Sequence, residues 1–201
     1  MTFNPADALT AAKACLLAYD APNVWGGRGQ AHVAAEASGR IVVALAGTNG
    51  RGDVLDDARI VRRELSPGYK VHSGFDDHAM DLAAPIMAAI RALPPGPLLL
   101  AGHSLGAAAL CIILFRHARA LPGPAYLFGC PRAGNEAFAE ALDAAAGPRL
   151  FRVVNRGDPV CGLPLPLAGR WCHAGQEITI GRGYDWRPDH GIRHYIASLT
   201  L

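Results

Sequence analysis

Gly102-His103-Ser104-Leu105-Gly106 sets a hydroxyl between two glycines, directly after the apolar run Pro97 to Ala101 and directly before the helix-like run Ala107 to His117. That order predicts a strand, a sharp turn and a helix, with the serine at the apex. A residue at such a turn is forced into a strained backbone conformation. Glycines two residues to either side let strand and helix pass closely enough to hold it there. The chemistry this predicts is nucleophilic attack by the Ser104 hydroxyl. A serine is a weak nucleophile at neutral pH, so it needs a histidine to take its proton and an acid to fix that histidine's tautomer.

The acid should follow a strand, because ligands of open α/β sheets meet the loops beyond the carboxyl ends of the strands. Asp158 satisfies this: it lies in Asn155-Arg156-Gly157-Asp158-Pro159, directly after the run Leu150 to Val154. An aspartate before proline is also an ordinary turn former, and both readings stand at this stage. Asp143 falls inside a helix-like run, and Asp185 and Asp189 lie too near in sequence to the histidine candidates.

His173, His190 and His194 follow Asp158, in a Ser, acid, His order that resembles that of α/β-hydrolases. His190 is preferred as the base, since it sits in a loop at the entrance to the last helix. His194, one turn further and beside Tyr195, fits a surface or capping role. His103 and His72, close to glycines, read as structural residues that hold backbone through hydrogen bonds. Charge developing on an attacked carbonyl needs two donors. One is the backbone N–H of Leu105; the other is assigned to Thr48 in Ala46-Gly47-Thr48-Asn49-Gly50, which follows the apolar run Ile41 to Leu45. An ordinary glycine turn is the alternative reading of that loop.

The elements that must position these residues can be read in order. Ala6 to Tyr19 has helical periodicity, and Ala31 to Ala37 and Arg40 to Ala46 flank Ser38-Gly39 as a tight hairpin does. Val54, Ala58, Val61 and Leu65 step by helical intervals, which predicts a helix over 53–65. Phe75, Ala79, Leu82, Ile86 and Ile90 predict another helix, broken or kinked at Pro85. From Pro97 onward strands and helices alternate, which predicts parallel strands with crossover helices. The loop-rich stretch 158–187 is read as holding a hairpin around Trp171 and Glu177 to Ile180, and 191–201 as a closing helix. The fold class is therefore α/β, a mostly parallel central sheet with helices on both faces, and residues 1–201 read as one domain.

Composition narrows the function. The 201 residues are 51% hydrophobic with a net charge of +2, and the arginines are scattered among acids, so nucleic acid is not an expected partner. Arg59, Arg62 and Arg63 read as a solvated helix face, with contact to an anionic surface as the alternative. Five cysteines without a C-x-x-C pair indicate neither a full disulfide framework nor a zinc site. Cys161 and Cys172 are the pair whose loops a bridge would join. No metal or cofactor is required by the chemistry. No apolar run approaches the roughly 20 residues that span a bilayer, and Asn4, Pro5, Asp7 and Lys13 interrupt any leader-like pattern. The reading is a cytoplasmic protein, with export lacking a recognisable signal as the alternative.

Six blocks together resemble the class three lipases, the fungal lipase-like α/β-hydrolases. They are Ala44-Leu45-Ala46-Gly47-Thr48, Val71-His72-Ser73-Gly74-Phe75, Gly102 to Gly106, Phe128-Gly129-Cys130-Pro131-Arg132-Ala133-Gly134-Asn135, Arg152 to Asn155 with Asp158-Pro159-Val160, and Asp189-His190 before Tyr195-Ile196. The resemblance implies a Ser104, Asp158, His190 triad with Thr48 and Leu105 as oxyanion donors, acting on carboxylic esters of acylglycerol or related lipid type. A small ester or lipid is then the expected partner, with transient contact at a lipid surface. Phospholipase-type effectors, acyl-transfer enzymes and a silent lipid-binding scaffold are the alternatives. Two departures stand out. The family usually has an arginine before Gly47-Thr48 where this chain has Ala46, and the chain is shorter than the fungal enzymes, with 54–65 in the place of their helical lid. A lid and a fixed core-facing helix are equally compatible with that stripe.

Overall fold

Continuous apolar runs form the middle of a sheet covered on both faces, because such strands have no side left for water. The computed structural model of the chain describes residues 1–27, 29–47, 61–165, 171–181 and 190–201. In chain order the described elements are helix α1 (Pro5–Asp20), strands β1 (Val24–Gly26), β2 (Gly29–Ala35), β3 (Ile41–Leu45), β4 (Arg62–Ser66) and β5 (Tyr69–His72), and helix α2 (Ser73–Arg91). Then come β6 (Leu98–His103), α3 (Leu105–His117), β7 (Ala125–Phe128), β8 (Gly134–Asn135) and α4 (Glu136–Ala146). Last are β9 (Leu150–Asn155), β10 (Trp171–Cys172), β11 (Gln176–Ile180) and α5 (Ile192–Leu199), with short 3-10 turns at Gly147–Arg149 and Pro159–Gly162.

Seven strands make the main sheet in the order β1-β2-β3-β6-β7-β9-β11. β3, β6, β7, β9 and β11 are mutually parallel, while β1 and β2 join antiparallel at one edge. The period of two along each strand divides the core. Ile41, Val43 and Leu45 pack with residues of α2, α3 and α4, whereas Val42 and Ala44 pack with α1 and α5 on the opposite face. Helix α1 starts where Asn4 Oδ1 accepts from the Ala6 and Asp7 N–H groups and Pro5 occupies the first turn. His72 caps α2 in the same way, accepting from Gly74 N–H at 3.2 Å. Helix α2 runs through Pro85 as one element, where two shorter helices were an open expectation.

Two expectations are corrected. Arg62 to Leu65, expected as the end of a helix over 53–65, belong to strand β4, paired antiparallel with β5. Residues 53–60 of that expectation lie outside the described residues. The cause is local turn chemistry: Pro67 and Gly68, the latter at φ 91°, reverse the chain into a hairpin. Arg63 then reaches α2, within 2.9 Å of the buried Asp76, which Arg116 of α3 approaches from the other side at 2.6 Å. The second correction concerns Trp171 and the segment near Ile180, which do not pair as a hairpin. β10 joins β8 in a second sheet of order β10-β8-β5-β4, while β11 extends the main sheet beside β9. Cys161 and Cys172 are free thiols, as are the other three cysteines.

The closest passage in the fold lies where β6 turns into α3. A Cβ added at Gly106 would sit 2.5 Å from the carbonyl oxygens of both Leu45 and Ala46, and one at Gly102 would sit 2.7 Å from the Cα of Ala107. Backbone cannot yield there as a flexible side chain does. Gly106→Ala is expected to destabilise the protein by about 1–3 kcal/mol, the usual cost of overpacking, read as a lower urea midpoint. A midpoint equal to that of the unmodified chain would contradict the contact.

Candidate active site

The turn between β6 and α3 puts Ser104 at φ 58° and ψ −125°, the sole non-glycine residue with positive φ among the described residues. Its N–H donates to the Phe128 carbonyl at 2.9 Å, which ties the turn to the end of β7. A serine heading a helix ordinarily folds its hydroxyl back onto the first-turn N–H groups, but at this backbone angle Ser104 makes no such cap. The hydroxyl instead lies 2.8 Å from His190 Nε2.

His190 arrives just before α5, and its Nδ1 is 2.9 and 3.1 Å from the two carboxylate oxygens of Asp158. A carboxylate only accepts, so Nδ1 carries the proton and Nε2 is left to accept the Ser104 O–H. Asp158 follows β9, is buried, and accepts further bonds from Val160 N–H at 2.9 Å and Tyr195 O–H at 2.5 Å. Burial pushes this carboxyl up, but the hydrogen bonds and charge of His190, with those of Tyr195 and Val160, outweigh it and hold it below the usual aspartate range. The structure therefore brings Ser104, Asp158 and His190 together, three residues far apart in the chain. His194 is exposed on α5 and His173 bonds the Cys161 carbonyl at 2.9 Å, so neither takes the place of His190.

Leu105 opens α3, where backbone N–H groups have no partner one helical turn back and the helix dipole favours negative charge. Thr48, the other expected donor, lies outside the described residues. The segment leading to it is described as far as Gly47, whose added Cβ would meet Ser104 Cβ at 2.9 Å, so Gly47 packs directly against Ser104. Ala46, the departure from the usual arginine, is fully buried. Its N–H donates to the Gln30 carbonyl at 3.1 Å, and its own carbonyl accepts from His78 Nε2 at 3.3 Å. Among the described residues no group of three or more His, Cys, Asp and Glu is placed to hold a metal. Cys161, near Tyr195, is pushed up to about 12 by burial and stays a thiol rather than a rival nucleophile.

Sequence reading missed two contributors. Tyr195 was named beside His194 and in the last of the resembling blocks but given no role, and nothing in its local pattern distinguishes a core tyrosine from one that bonds an acid 37 residues earlier. Gly129, at φ 57°, makes room for the acid and base: a Cβ there would lie 2.9 Å from both Asp158 Oδ2 and His190 Cε1. A glycine directly after an apolar strand was its available signal. His72 and His103, expected as structural histidines, do bond backbone atoms.

Comparison with known proteins adds to this geometry. A secreted mono- and diacylglycerol lipase of Malassezia globosa is 37% identical over 181 residues, covering 80% of this chain and 59% of its own length. A secreted mono- and diacylglycerol lipase of Fusarium solani is 32% identical over 125 residues, covering 60% of this chain and 37% of its own. The chain thus spans little more than half, or less, of these curated relatives. A solved triacylglycerol lipase, described as having a serine protease triad as its catalytic centre, shares the fold at a TM-score of 0.71 and 26% identity, over 89% of this chain and 78% of that one. The architecture is the α/β-hydrolase fold. The names of the curated relatives overturn the cytoplasmic placement read from the N-terminus, since both are secreted proteins. Residues 5–20 form α1 of the fold itself, so their lack of a leader pattern carries no information about compartment. The model of the lipase (class 3) family matches residues 42–167, from within β3 to beyond the Asp158 loop, and the chain belongs to that family.

Proposed function

We propose that this protein is a serine-dependent carboxylic ester hydrolase acting on acylglycerols, with Ser104 as nucleophile, His190 as general base and acid, and Asp158 as the group that orients His190. The observation that carries the reading is the unbroken hydrogen-bonded line from Ser104 Oγ through both ring nitrogens of His190 to a buried carboxylate, at 2.8 and 2.9 Å. The names of the relatives, mono- and diacylglycerol lipases and a triacylglycerol lipase, support the substrate class.

Ser104 Oγ attacks the ester carbonyl as His190 Nε2 takes its proton, and the resulting imidazolium is stabilised by the Asp158 carboxylate. The tetrahedral oxyanion forms beside the Leu105 N–H at the start of α3, with Thr48 assigned as the second donor; one such donor is worth about 100- to 1000-fold in kcat. His190 returns the proton to the departing alcohol, which leaves an acyl group on Ser104. A water, deprotonated by the same imidazole, then attacks the acyl-enzyme and releases the fatty acid, and the proton goes back to Ser104. Charge balance in this cycle requires that Asp158 stay ionised and that the positive charge reside on His190. Both are supported by the depressed Asp158 carboxyl and by His103, whose imidazole lies 4.8 Å from that of His190 and is lowered to about 3 by burial and by the His190 charge.

Ser104→Ala is expected to lower hydrolysis of a p-nitrophenyl butyrate substrate by about 10,000-fold or more and to abolish labelling by a fluorophosphonate; retention of the full rate refutes the assignment. His190→Ala should lose activity while His194→Ala keeps it. A panel of esters of increasing acyl length, assayed below and above micelle formation, tests the acylglycerol reading: preference for short soluble esters throughout counts against it.

Stability should fall in acid for a stated reason. His103 and His173, lowered to about 3 and about 4 by burial, bind fewer protons folded than unfolded. Unfolding is therefore favoured increasingly as pH drops below about 6.5, the free imidazole value. Asp158, also depressed, contributes stability present above about 3.9 and lost as pH falls through its folded value. Urea midpoints measured from pH 7.5 to 4 should be level down to about pH 6.5 and decline below it, whereas a flat profile would show that these imidazoles take up protons as readily folded as unfolded.

A further inference from the structure

Tyr19, at the end of α1, and His103, the residue before the nucleophile, join three segments of the site that no element connects directly. The Tyr19 oxygen accepts from Gly47 N–H at 2.7 Å and lies 2.7 Å from His103 Nδ1, while His103 Nε2 lies 2.7 Å from the backbone carbonyl of His190. A carbonyl only accepts, so His103 carries its proton on Nε2, and its Nδ1 accepts the Tyr19 O–H. One direction of donation, from Gly47 through Tyr19 and His103 to His190, satisfies every member. His103 is 4% exposed, its ring packs edge-on to Tyr19 at 5.7 Å, and a Cβ at Gly47 would meet the Tyr19 oxygen at 2.8 Å. The loop is thus seated on the hydroxyl itself.

We propose that Tyr19 and His103 are positioning residues for the hydrolysis, setting the loop before Thr48 and the backbone of His190 in register with Ser104 through this single hydrogen-bonded chain. The proposal rests on the ester-hydrolase reading. Neither side chain is hydrogen-bonded to Ser104 Oγ or to the Asp158 carboxylate, whose partners are His190, Tyr195 and Val160. Their effect is carried by where they hold Gly47, which precedes one expected oxyanion donor, and His190, which is the base. Misplacement of reacting groups by even 1 Å costs about 100-fold in rate, so a chain that fixes both at once acts on kcat rather than on substrate binding.

The test uses the full chain with p-nitrophenyl butyrate, and compares the unmodified protein with Tyr19→Phe, His103→Ala, His103→Gln and the double variant Tyr19→Phe/His103→Ala. Circular dichroism and urea midpoints are recorded alongside the kinetics. Tyr19→Phe keeps the ring and loses only the hydroxyl; kcat should fall about 10- to 100-fold with KM changed less than about twofold. His103→Gln, whose amide still reaches toward the His190 carbonyl, should recover part of the kcat lost in His103→Ala. The double variant should lose no more than the worse single one, because both break the same chain. The proposal is overturned by an unchanged kcat in Tyr19→Phe, by losses that multiply in the double variant, or by a loss that merely follows the fraction unfolded. An unmodified protein without esterase activity overturns the ester-hydrolase reading and this proposal together, whereas an active one with indifferent Tyr19→Phe overturns only the proposal.

Discussion

The backbone at Ser104 is the constraint on which the rest of the site depends. A non-glycine residue at φ 58° and ψ −125° costs on the order of 1–3 kcal/mol and persists only where its surroundings over-determine it. Here they do so from several directions. Gly102 and Gly106 let β6, α3 and the end of β3 approach within distances that no Cβ would tolerate, the Phe128 carbonyl holds the Ser104 N–H, and Gly47 lies against the Ser104 side chain. The strain has a chemical use: it turns the hydroxyl away from the helix N–H groups that a serine at this place ordinarily caps and toward an imidazole. Those N–H groups remain at the head of α3, where negative charge is stabilised.

Electrostatics completes what geometry begins. Asp158 is buried, which by itself would favour its neutral form, yet it accepts from His190, Tyr195 and Val160 and so stays ionised. The imidazoles of His103 and His190 lie 4.8 Å apart beside Ser104, and burial disfavours the charged form of His103. In the proposed cycle the positive charge created when Ser104 gives up its proton therefore falls to His190, the imidazole that faces the carboxylate.

Much of this was legible in the chain. The elbow, the continuous strands β3 and β6, the helices α1, α3 and α4, and the convergence of Ser104, Asp158 and His190 follow from apolar periodicity, from turn residues and from the requirement that catalytic side chains occupy loops beyond strand ends. The failures share a cause. The stripe through Val61 and Leu65 has helical spacing, but the Pro67-Gly68 turn makes Arg62–Ser66 a strand, so a local turn overrode periodicity. Trp171–Cys172 and Gln176–Ile180 are near neighbours in sequence and members of different sheets, because their partners, β8 and β9, were already in place elsewhere. Compartment was misread for another reason, since residues 5–20 answer to the packing of α1 and not to export.

The sequence by itself determined which residues could do the chemistry and on which kind of element each would sit, because a nucleophile turn, a strand-end acid and a late histidine are each marked by their immediate neighbours. Only the tertiary structure decided what those residues would touch. Tyr195 on Asp158, Gly129 beside Asp158 and His190, and the chain from Gly47 through Tyr19 and His103 to His190 are contacts between segments 28 to 87 positions apart. Hydrogen bonds and close packing at such separations depend on how layers stack and registers align, and no local pattern of side chains encodes that.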